Sequence, residues 1–250
     1  MREGTTTMQK IVIIGASSAI AEHCARLWAR QPVSLVLVGR ELARVQRVAD
    51  DLRVRSPQSQ VQALQARFDD PAAIGELAGR IAAEGRIDIV LIAHGNLPDQ
   101  TACERDLSAA RQALLVNGVS PALFAEAFAG MMQATGGTIA VIGSVAGDRG
   151  RKSNYAYGAA KGLVDRYVQG MQHRFARGPL KLVLVKPGPT ATPMTAHLPP
   201  RGLAPVEAVA RCIIDGIAAG APVVYAPAKW RLIMMVIRHL PRFVFNRMDI

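Results

Sequence analysis

A tyrosine and a lysine in the segment Tyr157-Gly-Ala-Ala-Lys161 have the spacing needed to move a proton to or from a substrate oxygen. In a helix, residues four apart share one face, so the phenol and the ammonium would be neighbours. A cation there favours the phenolate and lowers the tyrosine pKa, ordinarily about 10, which makes the residue a usable acid or base. Tyr155 lies six residues before Lys161 and falls off the shared face.

Two further polar residues complete a candidate catalytic group. Ser144 comes thirteen residues before Tyr157 and follows a predicted strand, where its hydroxyl can hold a substrate oxygen. Asn117 is an amide among apolar residues in a predicted helix near 104–134. That setting predicts a buried position from which Asn117 could bind water and relay protons to Lys161.

The elements that must position these residues follow a regular β/α alternation. The predicted strands are 10–15, 34–39, 61–69 (the weakest), 87–95, 137–143, 180–188 and 222–227. The predicted helices lie near 18–30, 41–54, 71–84, 104–134, 154–176 and 205–219. Nearly continuous apolar strands between helices are typical of a parallel sheet covered on both faces. We predict a single-domain, Rossmann-like, doubly wound α/β fold of about seven strands over 1–228, followed by a basic amphipathic tail, 229–250.

The turn after the first predicted strand has the composition of a dinucleotide site. Small residues let the backbone approach a pyrophosphate, and the following helix N-terminus offers free N–H groups and a positive dipole end. The candidate cofactor residues of this turn are Gly15, Ser17, Ser18, Ala19 and Ile20. The alternative is a tight strand-to-helix turn that needs small residues only for packing.

Two charged residues bear on the adenosine half of a cofactor. Arg40, at the end of the second predicted strand, suits the 2′-phosphate of NADP(H), which we favour over NAD(H), although Glu41 follows directly. Asp69 ends the third predicted strand and is placed to accept a hydrogen bond from the adenine amino group. Capping of the next helix is an equal alternative for Asp69, and both roles are compatible. A separate signal, Asp70-Pro71, predicts where that helix begins.

These motifs, in this order and spacing, resemble the short-chain dehydrogenase/reductase family over almost the whole chain. The resemblance is carried by Gly15 to Ala21, Ala93-His94-Gly95, Asn117, Ser144, Tyr157, Lys161 and Pro187-Gly188. It implies an NAD(P)-dependent oxidoreductase acting on carbonyl and secondary alcohol groups, with Ser144, Tyr157, Lys161 and Asn117 as a catalytic tetrad. It also implies further cofactor contacts at Ala93, Gly95, Tyr157, Lys161, Pro187, Gly188 and Thr190 or Thr192. Association into a homodimer or homotetramer through the helices of Asn117 and Tyr157 is a further implication.

The sequence departs from the family pattern at two places. Ala19 and Ala21 stand where the turn usually has its second and third glycines, and Ala93-His94-Gly95 replaces the usual Asn-Ala-Gly. Since alanine adds only a methyl group, we expect cofactor binding to survive. We interpret His94 as a structural substitution rather than an acid or base.

Two basic segments bear on the substrate. Arg149 and Arg151, with Lys152, leave the catalytic serine in one loop and could hold a phosphate; a solvated loop or a subunit contact is the alternative. The tail mixes basic residues with Trp230, Phe243 and Phe245. This composition favours insertion of the three rings into a membrane interface. The alternatives are that the tail packs on a partner subunit or folds over the substrate pocket.

Together, the loop and the tail resemble the branch of the family that reduces the 2-keto intermediate in the epimerisation of decaprenyl-phosphoryl ribose. The resemblance implies a keto-sugar on a polyprenyl phosphate as the substrate. Reduction of 3-oxoacyl chains or other lipophilic ketones is the alternative within the same class. An alternative from another class is a sensor or scaffold that binds the dinucleotide without turnover.

Composition limits the remaining possibilities. The net charge is +11, yet aromatic residues make up only 5% of the chain, which disfavours a nucleic-acid-binding module. The three cysteines, Cys24, Cys103 and Cys212, have no metal-ligand spacing, so we expect reduced thiols and no metal site. We find neither a secretory signal nor a run of about 18 apolar residues that would span a membrane. We therefore expect a cytoplasmic protein, with the inner face of the membrane as an alternative location.

Overall fold

The fold is built on one parallel sheet of seven strands. A computed structural model describes residues 8–197, 199 and 201–248. The strands are β1 (Gln9–Ile14), β2 (Val33–Gly39), β3 (Gln60–Gln65), β4 (Ile89–Ile92), β5 (Gly137–Ile142), β6 (Leu180–Pro187) and β7 (Val223–Ala226). Their order in the sheet is β3-β2-β1-β4-β5-β6-β7, and every neighbouring pair is parallel. The predicted doubly wound architecture is confirmed.

Helices cover both faces of this sheet. They are α1 (Ala19–Trp28), α2 (Leu42–Arg55), α3 (Pro71–Ala83), α4 (Gln100–Arg105), α5 (Leu107–Leu114), α6 (Ser120–Met132), α7 (Tyr155–Arg174), α8 (Val206–Ala218), α9 (Lys229–His239) and α10 (Arg242–Phe245). Alternate side chains of β1 enter opposite core layers: Ile11 and Ile13 pack with α1, α2 and α8, whereas Val12 and Ile14 pack with α3, α6 and α7. Burial on both faces explains why the strands are almost continuously apolar.

The chain direction around the sheet reverses between β1 and β4, which are neighbours although two strands separate them in sequence. In a doubly wound sheet, such a switch point opens a crevice outside the carboxyl ends of the strands, where ligands bind. Gly15, Ala93 and Ser144 all follow strands that end at this edge. The topology therefore collects the predicted motifs at one place.

Two predicted boundaries are wrong. The single helix predicted near 104–134 is interrupted at Asp106, whose carboxylate caps α5, and again at Leu115–Val119, a turn of π-helix. The predicted strand 61–69 corresponds to β3, which ends at Gln65 instead of Asp69. By contrast, Asp70 caps α3 as predicted, because its side chain accepts from the first free N–H groups of that helix.

Among the described residues, the stretch Leu107–Met132 is long and apolar enough to cross a membrane by length and composition, and half of its most apolar window is buried. Phe124 and Phe128 of this stretch are fully buried in the second core layer. The segment thus has the packing of a core helix. Two of the cysteines are buried as well, and burial raises the pKa of Cys24 to about 12, which keeps this thiol protonated and unreactive.

Candidate active site

The predicted acid, Tyr157, lies in the first turn of α7 and faces a cleft at the carboxyl edge of the sheet. Lys161 is one turn further along and is 2% exposed. Its Nζ lies 5.8 Å from the Tyr157 ring centroid and donates a hydrogen bond of 2.9 Å to the carbonyl of Ile142, the last residue of β5. The structure thus places both side chains in the same cleft.

Ser144 lies beside the tyrosine in this cleft. It is buried, its Oγ accepts a hydrogen bond of 3.1 Å from the Ala146 amide, and its side chain is close enough to Tyr157 to lower the pKa of that phenol. The amide bond fixes the hydroxyl at the start of a short 3₁₀ turn, Val145–Gly147. A substrate oxygen between the two hydroxyls would meet two donors at once.

Burial dominates the acidity of this pair. It raises the pKa of Tyr157, and the nearby Ser144 hydroxyl offsets only part of that effect. The expected lowering by Lys161 is not observed, since the ammonium is directed to the Ile142 carbonyl. Burial also lowers the pKa of Lys161 to about 8, against the attraction of Asp165. In this state, Tyr157 is a protonated hydrogen-bond donor at neutral pH.

Asn117 lies in the π-helical turn Leu115–Val119 and is fully buried. Its Oδ1 accepts from the amide of Asn96 at 2.9 Å, and its Nδ2 donates to the Asn96 side chain at 2.8 Å and to the carbonyl of Ala113 at 3.0 Å. Single π turns inside helices are frequent at functional sites. The side chain of Asn117 therefore holds the loop after β4 against the helix, and the predicted water relay to Lys161 stays a prediction.

The turn after β1 fits a pyrophosphate. Gly15 has φ +84°, and a Cβ there would lie 2.6 Å from the backbone nitrogen of His94, so only glycine is accommodated. Ser18, the N-cap of α1, makes no side-chain hydrogen bond to the helix, which leaves first-turn N–H groups for an anion. Ser18 and Ile20 line the cleft; Ser17 is exposed, and Ala19 is half-buried in the same turn.

The loop after β6 forms the opposite wall of the cleft. Thr190 is buried and its hydroxyl donates to the carbonyl of Gly188 at 2.9 Å, whereas the hydroxyl of Thr192 lies 3.5 Å from that of Thr195. The predicted cofactor residues that line this cleft are Ser18, Ile20, Ala93, Gly95, Tyr157, Lys161, Pro187, Gly188, Thr190 and Thr192.

A second cavity, of about 710 Å³, adjoins the cleft at His94 and Gly95. Arg40 and Asp69 both line it, as predicted for an adenosine site. Asp69 is not the helix cap, because that role belongs to Asp70. Asp69 instead lies 3.8 Å from the guanidinium of Arg67, which also lines the cavity.

His94 is half-buried between the two cavities, and its ring packs on core aromatic residues. Its ring makes edge contacts with Phe68 and Phe124, at centroid distances of 4.7 and 5.5 Å, and its Nε2 is 2.9 Å from the Ser120 hydroxyl. Burial lowers the pKa of His94 to about 3, so the imidazole is neutral in the physiological range. These contacts favour the structural interpretation of this residue.

The two arginines predicted to hold substrate have different surroundings. Arg149 is directed away from the cleft: its Nη1 donates to the carbonyls of Ile237 and Leu240 at 2.5 and 2.7 Å. The prediction for Arg149 is therefore wrong, because the end of α9 occupies this guanidinium. Arg151 does line the cleft, and its buried Nε has no hydrogen-bond partner among the described residues.

The insertion of the tail aromatics into a membrane is also wrong for two of the three rings. Trp230 packs against Gly188, where an added Cβ would lie 1.9 Å from the indole Nε1. Phe245 lies under the guanidinium of Arg149, with its ring centroid 3.9 Å away. Phe243 remains 67% exposed. The tail thus folds back onto its own domain.

Sequence reasoning missed several residues that line the cleft. These are Leu97, Asn154, Met194 and Thr195. Asn154 has a signal that could have found it, since it is a polar N-cap directly before the helix that carries Tyr157. Its buried Oδ1 has no hydrogen-bond partner among the described residues. The other three are ordinary loop residues that only the folded chain brings to the site.

A dinucleotide crevice next to a cleft-lining tyrosine and a buried lysine defines a nicotinamide-dependent oxidoreductase. Residues 9–201 match the family model described as short chain dehydrogenase. The chain belongs to the short-chain dehydrogenase family, and it is an NAD(P)-dependent oxidoreductase.

Individual relatives agree with this assignment. An uncharacterized oxidoreductase of Mycobacterium tuberculosis is 32% identical over 241 residues, which cover 95% of this chain and 96% of that protein. A short chain dehydrogenase from Burkholderia cenocepacia, solved with NADP, has TM-score 0.82 at 18% identity over 97% of this chain and 98% of that one. One from Sphingobium yanoikuyae, solved with NADPH, has TM-score 0.80 at 24% identity over 94% and 97%. The two solved structures support the fold.

Proposed function

We propose that this enzyme is an NADP(H)-dependent reductase that interconverts a carbonyl group and a secondary alcohol at Tyr157. When bound, the nicotinamide supplies or accepts the hydride. The observation that carries the proposal is that Tyr157, Ser144 and Lys161 line one cleft at the sheet edge, with Lys161 one helical turn from Tyr157. No other tyrosine–lysine pair of the described residues lies in this cleft.

Each residue has a defined task in carbonyl reduction. Negative charge develops on the carbonyl oxygen, and the Ser144 hydroxyl holds that oxygen by donating a hydrogen bond. The Tyr157 hydroxyl gives its proton to the oxygen and becomes a phenolate. For Lys161 to stabilise the phenolate, its ammonium must turn from the carbonyl of Ile142 toward Tyr157, and proton return from water would run past Asn117 to Lys161. In alcohol oxidation the same proton moves in the opposite direction.

We favour NADP(H) over NAD(H) because Arg40 lines the second cavity at the end of β2, where a 2′-phosphate would lie. Arg67 and Arg80 line the same cavity and add positive charge to it. The relatives from Burkholderia and Sphingobium were solved with NADP and NADPH.

For the substrate we propose a keto-sugar on a polyprenyl phosphate. Arg151 favours a substrate with an anionic group, because a guanidinium can hold two phosphate oxygens through parallel donors. The Nε of Arg151 has no hydrogen-bond partner among the described residues. Asn154 can accept from a sugar hydroxyl. The alternative is a 3-oxoacyl chain or another lipophilic ketone, which the apolar wall of Leu97, Val145 and Met194 would favour.

We further propose that the protein is cytoplasmic and touches the inner face of the membrane with the outer side of the tail. Exposed apolar side chains of this side are Leu232, Met235, Val236 and Phe243. Arg231, Arg238 and Arg242 flank them and suit anionic headgroups. Replacing Leu232, Val236 and Phe243 by serine is expected to abolish co-sedimentation with anionic liposomes; unchanged co-sedimentation would exclude this contact.

We also propose a homodimer or homotetramer formed through the helices around Asn117 and Tyr157. Leu107 of α5 is 84% exposed, and Leu163 and Tyr167 of α7 are 37% and 38% exposed. Light scattering coupled to size-exclusion chromatography tests this assembly.

The function is tested by oxidation of NADPH against a panel of neutral and phosphorylated ketones, together with a fluorescence titration of cofactor binding. We expect turnover with at least one ketone and tighter binding of NADPH than of NADH. Binding of cofactor without turnover on any ketone or secondary alcohol would favour the sensor or scaffold alternative instead.

A further inference from the structure

Helix α9 contacts two loops that border the cleft, the one after β6 and the one between Ser144 and α7. Trp230 lies against Gly188, the Sδ of Met234 is 3.8 Å from Nη2 of Arg151, and the carbonyl of Ile237 accepts from Arg149. Trp230 and Met234 are four residues apart, so one face of α9 makes both side-chain contacts, and the third contact is made by a backbone carbonyl at the end of the helix. Met234 is fully buried in this interface.

Arg149 closes the carboxyl end of α9. Its Nη1 binds the carbonyls of Ile237 and Leu240, and its guanidinium stacks on Phe245 at 3.9 Å. The last carbonyls of a helix lack partners within the helix and carry the negative end of its dipole, so a cation is held well there. We call this arrangement the Arg149 clamp.

The loop between Ser144 and α7 carries the clamp residue and a cleft residue close together. Arg149 points to the tail, whereas Arg151, two residues later, lines the cleft with Tyr157. Burial lowers the pKa of Arg151, and its Nε has no hydrogen-bond partner among the described residues. Arg151 as a whole is half-buried, and a guanidinium with an unpaired donor is suited to a carboxylate or phosphate group.

We propose that α9 is a specificity element of the active site: through the Arg149 clamp and Met234 it holds Arg151 in position to bind an anionic group of the substrate. Arg149 and Met234 are positioning residues, since neither lines the cleft. The proposal deepens the function proposed above and rests on it for the carbonyl chemistry. It adds that affinity for the anion depends on residues outside the cleft.

The experiment uses two probes, a long-chain methyl ketone with a terminal phosphate monoester and the same ketone ending in a hydroxyl. Binding is measured by calorimetry and reduction by NADPH oxidation, on the full chain. Arg149→Leu removes the clamp, and Arg149→Lys restores part of it. Lys229→Leu removes an exposed cation from α9 without touching the clamp and is the matched control.

We expect Arg149→Leu to weaken binding of the phosphorylated probe and to raise its KM about tenfold, the usual effect of misplacing one charge-assisted bond. The kcat for the phosphorylated probe should change little, and so should the kcat and KM for the hydroxyl probe. Arg149→Lys should recover part of the affinity, and Lys229→Leu should match wild type. Should Arg149→Leu fail to fold, Phe245→Leu removes only the stacking and should shift the same constants in the same direction.

The outcomes separate the two proposals. If Arg149→Leu lowers the affinity for both probes equally, Arg149 has only a structural role and the specificity proposal is overturned. Wild-type protein that binds the phosphorylated probe no more tightly than the hydroxyl probe would overturn it as well. Preferential binding of the phosphorylated probe that is lost in Arg149→Leu, but with no reduction of either ketone, would support the clamp and contradict the proposed carbonyl reduction.

Discussion

Lys161 is tied to the sheet as well as to the helix that carries Tyr157. Its Nζ lies 5.8 Å from the Tyr157 ring centroid and donates to the carbonyl of Ile142 at 2.9 Å. The ammonium is therefore held between the end of β5 and the first turns of α7. Because the lysine cannot follow the phenol freely, the distance between the two groups is set by the packing of α7 on the sheet.

Replacing Tyr157 by phenylalanine removes the proton donor and leaves the ring volume in the cleft. General acid catalysis contributes roughly 10²–10⁴-fold, so we expect kcat to fall by about 10³-fold. Cofactor affinity should be nearly unchanged, since the aromatic wall is preserved. Steady-state NADPH oxidation and a fluorescence titration measure the two quantities.

Tyr155→Phe is the matched control, because Tyr155 belongs to the same helix but is 48% exposed. It should retain wild-type kcat. A Tyr157→Phe protein with near-normal turnover would show that another group donates the proton.

The fold and the position of the site could largely be predicted from sequence. The continuous apolar runs of β1 and β5 identify buried parallel strands, and Asp70-Pro71 marks the start of α3. The four-residue spacing of Tyr157 and Lys161 is local, so a helix suffices to bring them to one face. Local patterns of this kind are visible in sequence without a tertiary structure.

The remaining features depend on long-range contacts or on burial. Arg149 meets the carbonyl of Ile237, 88 residues further along the chain, and no local pattern indicates that pair. The π turn places the buried side chain of Asn117 where it bonds the backbone and side-chain amides of Asn96, a constraint that helical periodicity does not contain. The net rise in the Tyr157 pKa reflects how deeply the phenol is buried, which spacing alone does not give.

Arg40 is expected to determine the preference for the phosphorylated cofactor. Arg40→Ala removes a charge-assisted contact to a 2′-phosphate, typically about 1.5–3 kcal/mol, or roughly 10–100-fold in Kd. Binding of NADH, which lacks the phosphate, should change little. Arg44→Ala removes a neighbouring cation that pairs with Glu41 at 2.8 Å and serves as the control. An equal loss of affinity for NADPH and NADH would show that Arg40 has a general electrostatic role and does not recognise the 2′-phosphate.

The buried Lys161 makes stability depend on pH. Its pKa is about 8 in the folded protein, below the value of 10.5 for an exposed lysine. Between these pH values Lys161 is protonated in the unfolded chain but not in the folded protein, so the free energy of unfolding increases as pH rises. Relative to Lys161→Met, the cofactor-free wild type should gain stability from pH 8 to pH 10, by about 3 kcal/mol at most. Urea denaturation across this range measures the difference; a constant difference would mean that Lys161 keeps its ordinary pKa.

A buried charge cluster anchors the loop that follows Ser144. The Nζ of Lys186 on β6 forms ion pairs with Asp148 in the loop and, at 2.5 Å, with Asp165 on α7. The Tyr225 hydroxyl donates to Asp148 at 3.0 Å from β7. Burial opposes the charge on Lys186, but the two carboxylates outweigh it and raise the pKa of this lysine. The cluster thus joins β6, β7, α7 and the catalytic loop.

Lys186→Met leaves Asp148 and Asp165 buried without their cation. Removing one partner of a buried ion pair typically costs about 3–5 kcal/mol, so we expect a loss of this size in the free energy of unfolding. Lys181→Met, at an exposed position of the same strand, should stay within about 0.5 kcal/mol of wild type. Adding Asp165→Asn to Lys186→Met should restore part of the loss, because one uncompensated charge is then removed. A Lys186→Met protein as stable as the Lys181→Met control would mean that the carboxylates do not depend on this lysine.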